Sequence, residues 1–391
     1  MPGKVLNFYF KSSSNPLPIG QLSIDDPGRE GSALFFVYDP QWLDYGYALS
    51  RDLPLIPKVF KTDLAHPYFG FMYDLIPGLG ARKAARFIYK KDLTNIELML
   101  LSQEVLRVGA IGFKPEIELP LQYKEVGAVA LDLERLMMGH LNISAIDSLY
   151  KGLSALPGER FKLGYISGKN KNLISKFNIP DPVRNLIIWE GVALSLAKRL
   201  GLKTVTAELT STRGMDTLVT LRFDRTAHGS ALPTATAKAL LCAQTDEHSY
   251  LEVADILNQE GTKPKQDLEE LWRRMVFNMC IGNVHDSLDN ISFIREGDGW
   301  TLAPIYSLKP DPISVNRRHH ATAVTDDWDR PDLKKAVEVC RYFGLTPRKA
   351  EEQALHISAF CSQNWEKVAR EFQADPLEID NMRKAFEQLD F

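Results

Sequence analysis

Gly282-Asn-Val-His-Asp-Ser-Leu-Asp-Asn290 is the stretch whose reading decides the fold of this chain. It follows a strongly helical run, Asp267–Cys280, and precedes a β-hairpin pattern that closes on Ala303-Pro-Ile-Tyr-Ser-Leu-Lys-Pro310. Amide, imidazole, carboxyl and hydroxyl side chains are therefore gathered in one loop between two regular elements. Such loops, held by a scaffold, are where chemistry is commonly presented.

Working outward, a chain of 391 residues is long for one compact core and predicts two or three domains. Hydrophobic residues make up 45% and charged residues 25%, the balance of an ordinary globular protein. A net charge of −3 gives no bulk electrostatic reason for direct nucleic-acid binding. Cys242, Cys280, Cys340 and Cys361 have no CxxC spacing, which predicts reduced thiols rather than a zinc site or a disulfide framework. The first residues lack the apolar core of a signal peptide, and no run approaches a membrane span, so a cytoplasmic protein without membrane contact is expected.

Residues 1–115 read as a small α+β module. Val5–Phe10, Gly20–Ile24 and Ala33–Tyr38 alternate like strands, Ala81–Lys90 and Asn95–Val108 have helical spacing, and Gly109–Phe113 reads as a closing strand. Residues 116–228 then give short helices over Leu131–Leu141 and Ile146–Leu156, a glycine turn between two strand-like runs within Lys162–Phe177, a helix over Arg184–Leu200 stopped by Gly201, and paired strands Thr204–Glu208 and Thr217–Phe223. Residues 229–391 turn mostly helical: Ala235–Cys242, Tyr250–Leu257, Asp267–Cys280, Leu333–Phe343, Pro347–Gln363 and Trp365–Phe372.

With these residues in place, the chain resembles the HipA family, the Ser/Thr kinase toxins of bacterial toxin–antitoxin pairs. That family reads GN-x-D-x-H-x-x-N, a hairpin, then AP-x-YD-x-x-P, which the stretches 282–290 and 303–310 follow except at His285, Ser287 and Ser307. Gly20-Gln-Leu, Tyr38-Asp-Pro-Gln-Trp, Phe71–Arg86 and Val108–Phe113 follow the motifs of its amino-terminal module, and Arg222-Phe-Asp-Arg225 repeats its RFDR signature unaltered. The resemblance implies an α+β, HipA-like fold: a small α+β amino-terminal module, then a two-lobed protein-kinase-like domain with a mostly helical carboxy-terminal lobe. It also implies ATP and Mg2+ as cofactors, and as partner a helix-turn-helix antitoxin that binds DNA, or a target protein, so that nucleic acid is reached only through a partner.

The resemblance also assigns roles. Its catalytic carboxylate falls at His285 and its magnesium carboxylate at Ser307, while Asn290 remains as a metal ligand. Asp286 is next in line as a base, but it stands four residues before Asn290 rather than five, and such a shift turns a loop side chain. Gly168, Lys169 and Lys171 lie in a candidate phosphate loop, where backbone N–H groups and cations meet phosphate oxygens. Lys176 ends a strand as the family's phosphate lysine does, and Glu190 matches its helix partner. Leu221, Arg222 and Phe223 correspond to the adenine-binding hinge, although Arg222, Asp224 and Arg225 can equally form a structural ion network. Asp311 reads as a turn residue, Arg317-Arg318-His319-His320 as a solvated loop, and Trp328 as an anchor for its loop. Two expected carboxylates are absent from one site, so the sequence points to a pseudokinase or strongly impaired kinase; a slow kinase and a non-enzymatic subunit of a DNA-bound complex are the alternatives.

Overall fold

The computed structural model describes residues 3–11, 16–113, 156, 162–167, 171–178, 181, 183–212, 215–245 and 247–391. The chain forms two compact units, one of Met1–Phe177 with Ser211–Gln244, the other of Asn178–Thr210 with Thr245–Phe391. The boundary expected at 228/229 thus falls inside the first unit, and that at 115/116 lies outside the described residues, as do the helix expected over 131–141 and, Leu156 apart, that expected over 146–156.

In the first unit five strands, β1 (Lys4–Phe10), β2 (Leu17–Ile24), β3 (Leu34–Tyr38), β4 (Phe60–Lys61) and β5 (Ile111–Gly112), form one sheet in the order β4-β3-β2-β1-β5. Alternation along β1 buries Leu6 and Phe8 and exposes Val5 and Asn7. Phe8 meets Phe36, Phe71 and Phe113 edge-on at ring-centre distances of 6.4, 5.3 and 5.7 Å, so the aromatic positions of the pattern become one core. The Tyr38-Asp-Pro-Gln-Trp segment shows why those residues stand together. The Tyr38 hydroxyl donates to the Leu53 carbonyl at 2.7 Å, Asp39 caps the next turn by accepting from the Gln41 N–H, Pro40 supplies its first residue, and Trp42 is buried.

The helix expected over 95–108 stops at Leu101 because Arg107 folds back, its guanidinium donating to the Met99 carbonyl at 2.7 Å and to Glu104 at 2.8 Å. A second antiparallel group in this unit pairs β6 (Lys162–Ile166) with β7 (Asn172–Phe177) and β7 with β9 (Met215–Leu221). The strand between, β8, runs Ala207–Thr212, shifted from the 204–208 expected, and in it the chain passes between units.

Beyond β9, Arg222, Asp224 and Arg225 form a buried ion network. Asp224 accepts from Arg222 at 2.9 and 2.7 Å, from Arg225 at 2.7 Å and from the Gly109 N–H at 2.9 Å, while Arg222 also reaches the Leu106 and Arg107 carbonyls at 3.0 and 2.8 Å. Burial alone would raise the Asp224 carboxyl, but the two guanidinium groups overrule it and hold it far below the usual carboxylate range.

The second unit is mostly helical. Leu186–Arg199 is capped by the Asn185 side chain and buries residues all round, as a core helix does. Tyr250–Glu260, Pro264–Cys280 and Pro347–Glu371 supply its other long helices. The last is continuous through the polar stretch at 362–364, where two separate helices were expected. Ser362 and Asn364 donate to the Ala359 and Phe360 carbonyls one turn back and do not break it. Trp365 then stacks on Phe386 at 4.9 Å with Trp189 beside them, closing that end of the core. Cys280, Cys340 and Cys361 are buried free thiols and Cys242 is half-buried. Among the described residues no helix is long and apolar enough to cross a membrane.

The Asp224 network yields a prediction with a defined sign. Asp224→Asn leaves two guanidinium groups uncompensated and is expected to cost about 3–5 kcal/mol in urea unfolding at pH 7. Because the folded carboxyl titrates below its ordinary value, its stabilisation is present above about pH 4 and is lost as pH falls towards the folded value. The variant should therefore show a shallower loss of stability than the native chain on acidification.

Candidate functional site

The Gly282–Asn290 loop begins where the Pro264–Cys280 helix ends, and its first residue must be glycine. Gly282 has φ +62°, and a Cβ there would stand 3.0 Å from the Asp311 and Ala385 carbonyl oxygens. Backbone bonds then tie the loop to the segment after the hairpin: Asp311 N–H to Gly282 O at 3.0 Å and Ala303 N–H to Ser292 O at 2.9 Å. Side chains complete the seam. The Asn283 amide oxygen accepts from the Lys309 N–H at 3.1 Å, and the Tyr306 hydroxyl donates to Asp289 O at 3.0 Å. The two stretches singled out in the sequence are thus one structural object.

Asp286 lies beneath this surface. Its carboxylate accepts from the Tyr250 hydroxyl and, at 2.5 Å, from the Asn278 amide, and Asn278 is in turn bonded to Asn283 at 3.0 Å. Burial pushes the Asp286 carboxyl up to about 6, against the opposing pull of Tyr250 and Arg274. Asp286, next in line as a base only with a different backbone, is turned by the one-residue offset into the core.

His285 points the other way and is 45% exposed. Its Nε2 lies 3.0 Å from Asp311 Oδ2, and Arg184 grips the same carboxylate with Nη2 at 3.0 Å and Nη1 at 3.4 Å. Burial would raise the Asp311 carboxyl, yet His285 and Arg184 bring it down to about 2. An ionised carboxylate only accepts, so Nε2 carries the proton and Nδ1 is the imidazole's other nitrogen. Asp311 is therefore no mere turn residue. Its partner Arg184, 127 positions away, is the functional-site neighbour that no motif revealed.

Asn290 ends a short 3-10 turn and its amide donates to the His285 carbonyl at 3.1 Å. Ser307 has φ +60°, the left-handed region in which Asn and Asp are several-fold enriched over other side chains. Glu190 is fully buried in the Leu186–Arg199 helix. In the first unit, Lys176 is a buried residue of β7, opposite Leu218 of β9 and Lys162 of β6. Lys171 is exposed at a hairpin end, its N–H donating to Ser167 Oγ at 3.1 Å, whereas Gly168 and Lys169 lie outside the described residues. Leu221 is exposed at the end of β9 and Phe223 half-buried. Arg222 spends its guanidinium on Asp224 and two carbonyls, the ion network that the sequence offered beside the hinge, with its N–H bonded to Asn172 O at 3.0 Å.

Two further expectations change. Arg318 is fully buried, donating to the Ile313, Met279 and Ala385 carbonyls at 3.0 Å each, and His320 is buried too, so only Arg317 and His319 face solvent. Trp328 is 37% exposed, with the Lys335 ammonium 5.9 Å from its ring centre. A cavity of about 710 Å³ lined by Val315, Leu333, Leu389 and Phe391 contains none of the candidate residues.

The donor set fits magnesium poorly. The ion prefers charged oxygens in near-octahedral geometry at about 2.0–2.1 Å. Asn290 and Ser307 offer neutral oxygens, Asp286 is buried, and Asp311 is already held by two nitrogen donors. Among the described residues no group of three or more His, Cys, Asp or Glu side chains gathers as a metal site.

Residues 154–365 match the model of the HipA-like C-terminal domain. The chain belongs to that family. It is 25% identical over 334 residues, 74% of each chain, to the Sinorhizobium fredii protein named "Putative kinase Y4mE". Its fold matches the HipA of Shewanella oneidensis MR-1, solved with HipB and operator DNA, at a TM-score of 0.68 and 17% identity, covering 98% of this chain and 95% of that one. The HipA-like, kinase-like α+β fold implied by the sequence is thus found along nearly the whole chain.

The buried carboxyl gives a test of this geometry. Asp286 titrates above its ordinary value, so the stabilisation it brings is complete below about pH 4 and is lost as pH rises through about 6. Asp286→Asn should remove that pH dependence from urea unfolding measured between pH 4 and 8, and an unchanged profile would place the carboxylate at the surface.

Proposed function

We propose that this HipA-family protein is a pseudokinase, or a kinase so impaired that it works by binding, in a toxin–antitoxin type system of the bacterial cytoplasm. The observation that carries the reading is the state of Asp311. The Asp311 carboxylate is committed to the His285 imidazole and to Arg184, at a site where the family's catalytic and magnesium carboxylates are replaced by His285 and Ser307. With no free carboxylate among the donors assigned to the metal, the electrostatic clamp that phosphoryl transfer depends on is missing. The Shewanella HipA, solved with HipB and operator DNA, supports an antitoxin protein as the partner, and a net charge of −3 favours DNA contact through that partner rather than through this chain.

A slow kinase is the second reading. One observation favours it: the exposed His285 is oriented by a carboxylate at its Nε2, an arrangement suited to general-base work.

Incubation with ATP and Mg2+, alone and with a co-expressed partner, is expected to yield no phosphoserine or phosphothreonine by mass spectrometry. The His285→Asp/Ser307→Asp double variant is expected to gain Mg2+-dependent ATP binding; the left-handed backbone at residue 307 accommodates aspartate with little strain. Phosphorylation by the native chain that disappears in Asn290→Ala and Lys176→Ala would instead establish the slow kinase.

A further inference from the structure

The poor fit to magnesium has a specific structural cause. Asp311 is the carboxylate that the fold, rather than the motif, brings to the loop. It is 18% exposed and faces an imidazole that is 45% exposed, so the pair sits where ions in solution can reach it. Oδ2 accepts from both His285 Nε2–H and Arg184 Nη2–H at 3.0 Å, and the Arg184 fork extends to Oδ1 at 3.4 Å. A divalent ion would have to take Oδ2 at about two-thirds of that distance, beside a guanidinium and in place of a bound N–H. An aspartate in place of His285 would create the opposite situation. Two carboxylates would converge on the single Arg184 guanidinium, and the charge left over favours a proton or a further cation between them.

We propose that His285, with Arg184, takes the place on Asp311 that a divalent cation would need, so that the loop closes on a donor carried by the chain. Here the imidazole is a substitution for the ion and not merely the loss of a base. Arg184 keeps the carboxylate aimed at the loop from the residue before the Asn185 cap, and the 282–290 and 303–311 segments are joined through the seam of backbone and amide bonds without an ion. The inference rests on the reading of the site as one that works without a bound metal, but it concerns the ion alone and is tested without nucleotide or turnover.

The test is thermal unfolding of the full chain, followed by tryptophan fluorescence, in rising MgCl2 at constant ionic strength. Binding to the folded state alone raises Tm in a saturable way. The native protein should show no such rise. His285→Asp should have a lower Tm without Mg2+ and a saturable rise with it, and adding Asp311→Asn should abolish that rise. A rise in the native protein, no rise in His285→Asp, or a rise that survives Asp311→Asn would each overturn the proposal. Should His285→Asp fail to fold even with Mg2+, His285→Ala, which removes one of the two N–H donors on Oδ2, takes its place: a saturable rise supports the proposal and a flat Tm defeats it. Failure here is distinguishable from failure of the functional reading. A native Tm that rises with Mg2+ in a protein without phosphotransfer sinks only the inference, whereas phosphotransfer by a protein whose Tm ignores Mg2+ sinks only the pseudokinase.

Discussion

A carboxylate has two oxygens, and what occupies them decides what it can still do. Asp311 gives one oxygen to both His285 and Arg184 and turns the other towards the same guanidinium. Every functional statement about this loop follows from that occupancy. The imidazole is held through its Nε2–H, the carboxylate stays ionised down to about pH 2, and neither group is left as it would be in a metal-dependent site.

Beneath that surface pair, a second set of polar groups makes the loop rigid. Asp286, Tyr250, Asn278 and Asn283 satisfy one another in the core, and Asn283 passes the connection to the Lys309 N–H. Buried polar groups are costly unless bonded, so such a chain holds its members in one arrangement. Neighbouring residues of one loop therefore do opposite things: His285 stands in solvent on a carboxylate, and Asp286 is a carboxylate sealed in the interior. The same principle appears in the first unit, where Asp224 reconciles two buried guanidinium groups, and at Arg318, whose charge is met by backbone carbonyls.

Much of the architecture was legible because it depends on local pattern. Alternation marked β1 to β3, helical spacing and a stop at Gly201 marked the Leu186–Arg199 helix, and the Tyr38-Asp-Pro-Gln-Trp segment combined a core aromatic with a helix start. Errors came where side-chain bonds cut across the residue pattern. The helix from Asn95 ends early, with Arg107 returning to its Met99 carbonyl, and the helix from Pro347 runs on through Ser362 and Asn364, whose side chains bond back within it. Arg317-Arg318-His319-His320 read as solvated by charge alone, although its members alternate between exposed and buried as an extended segment would.

The sequence by itself determined the family, the kinase-like order of elements and the absence of aspartate at positions 285 and 307, since these are properties of residues and short spacings. Only the tertiary structure decided that Asp286 faces inward, that Arg222 is structural and that Asp311 meets Arg184 and His285. Those outcomes depend on which groups meet across 26 and 127 positions of chain. Electrostatic pairing acts through a few ångströms of space, and no one-dimensional spacing encodes that distance.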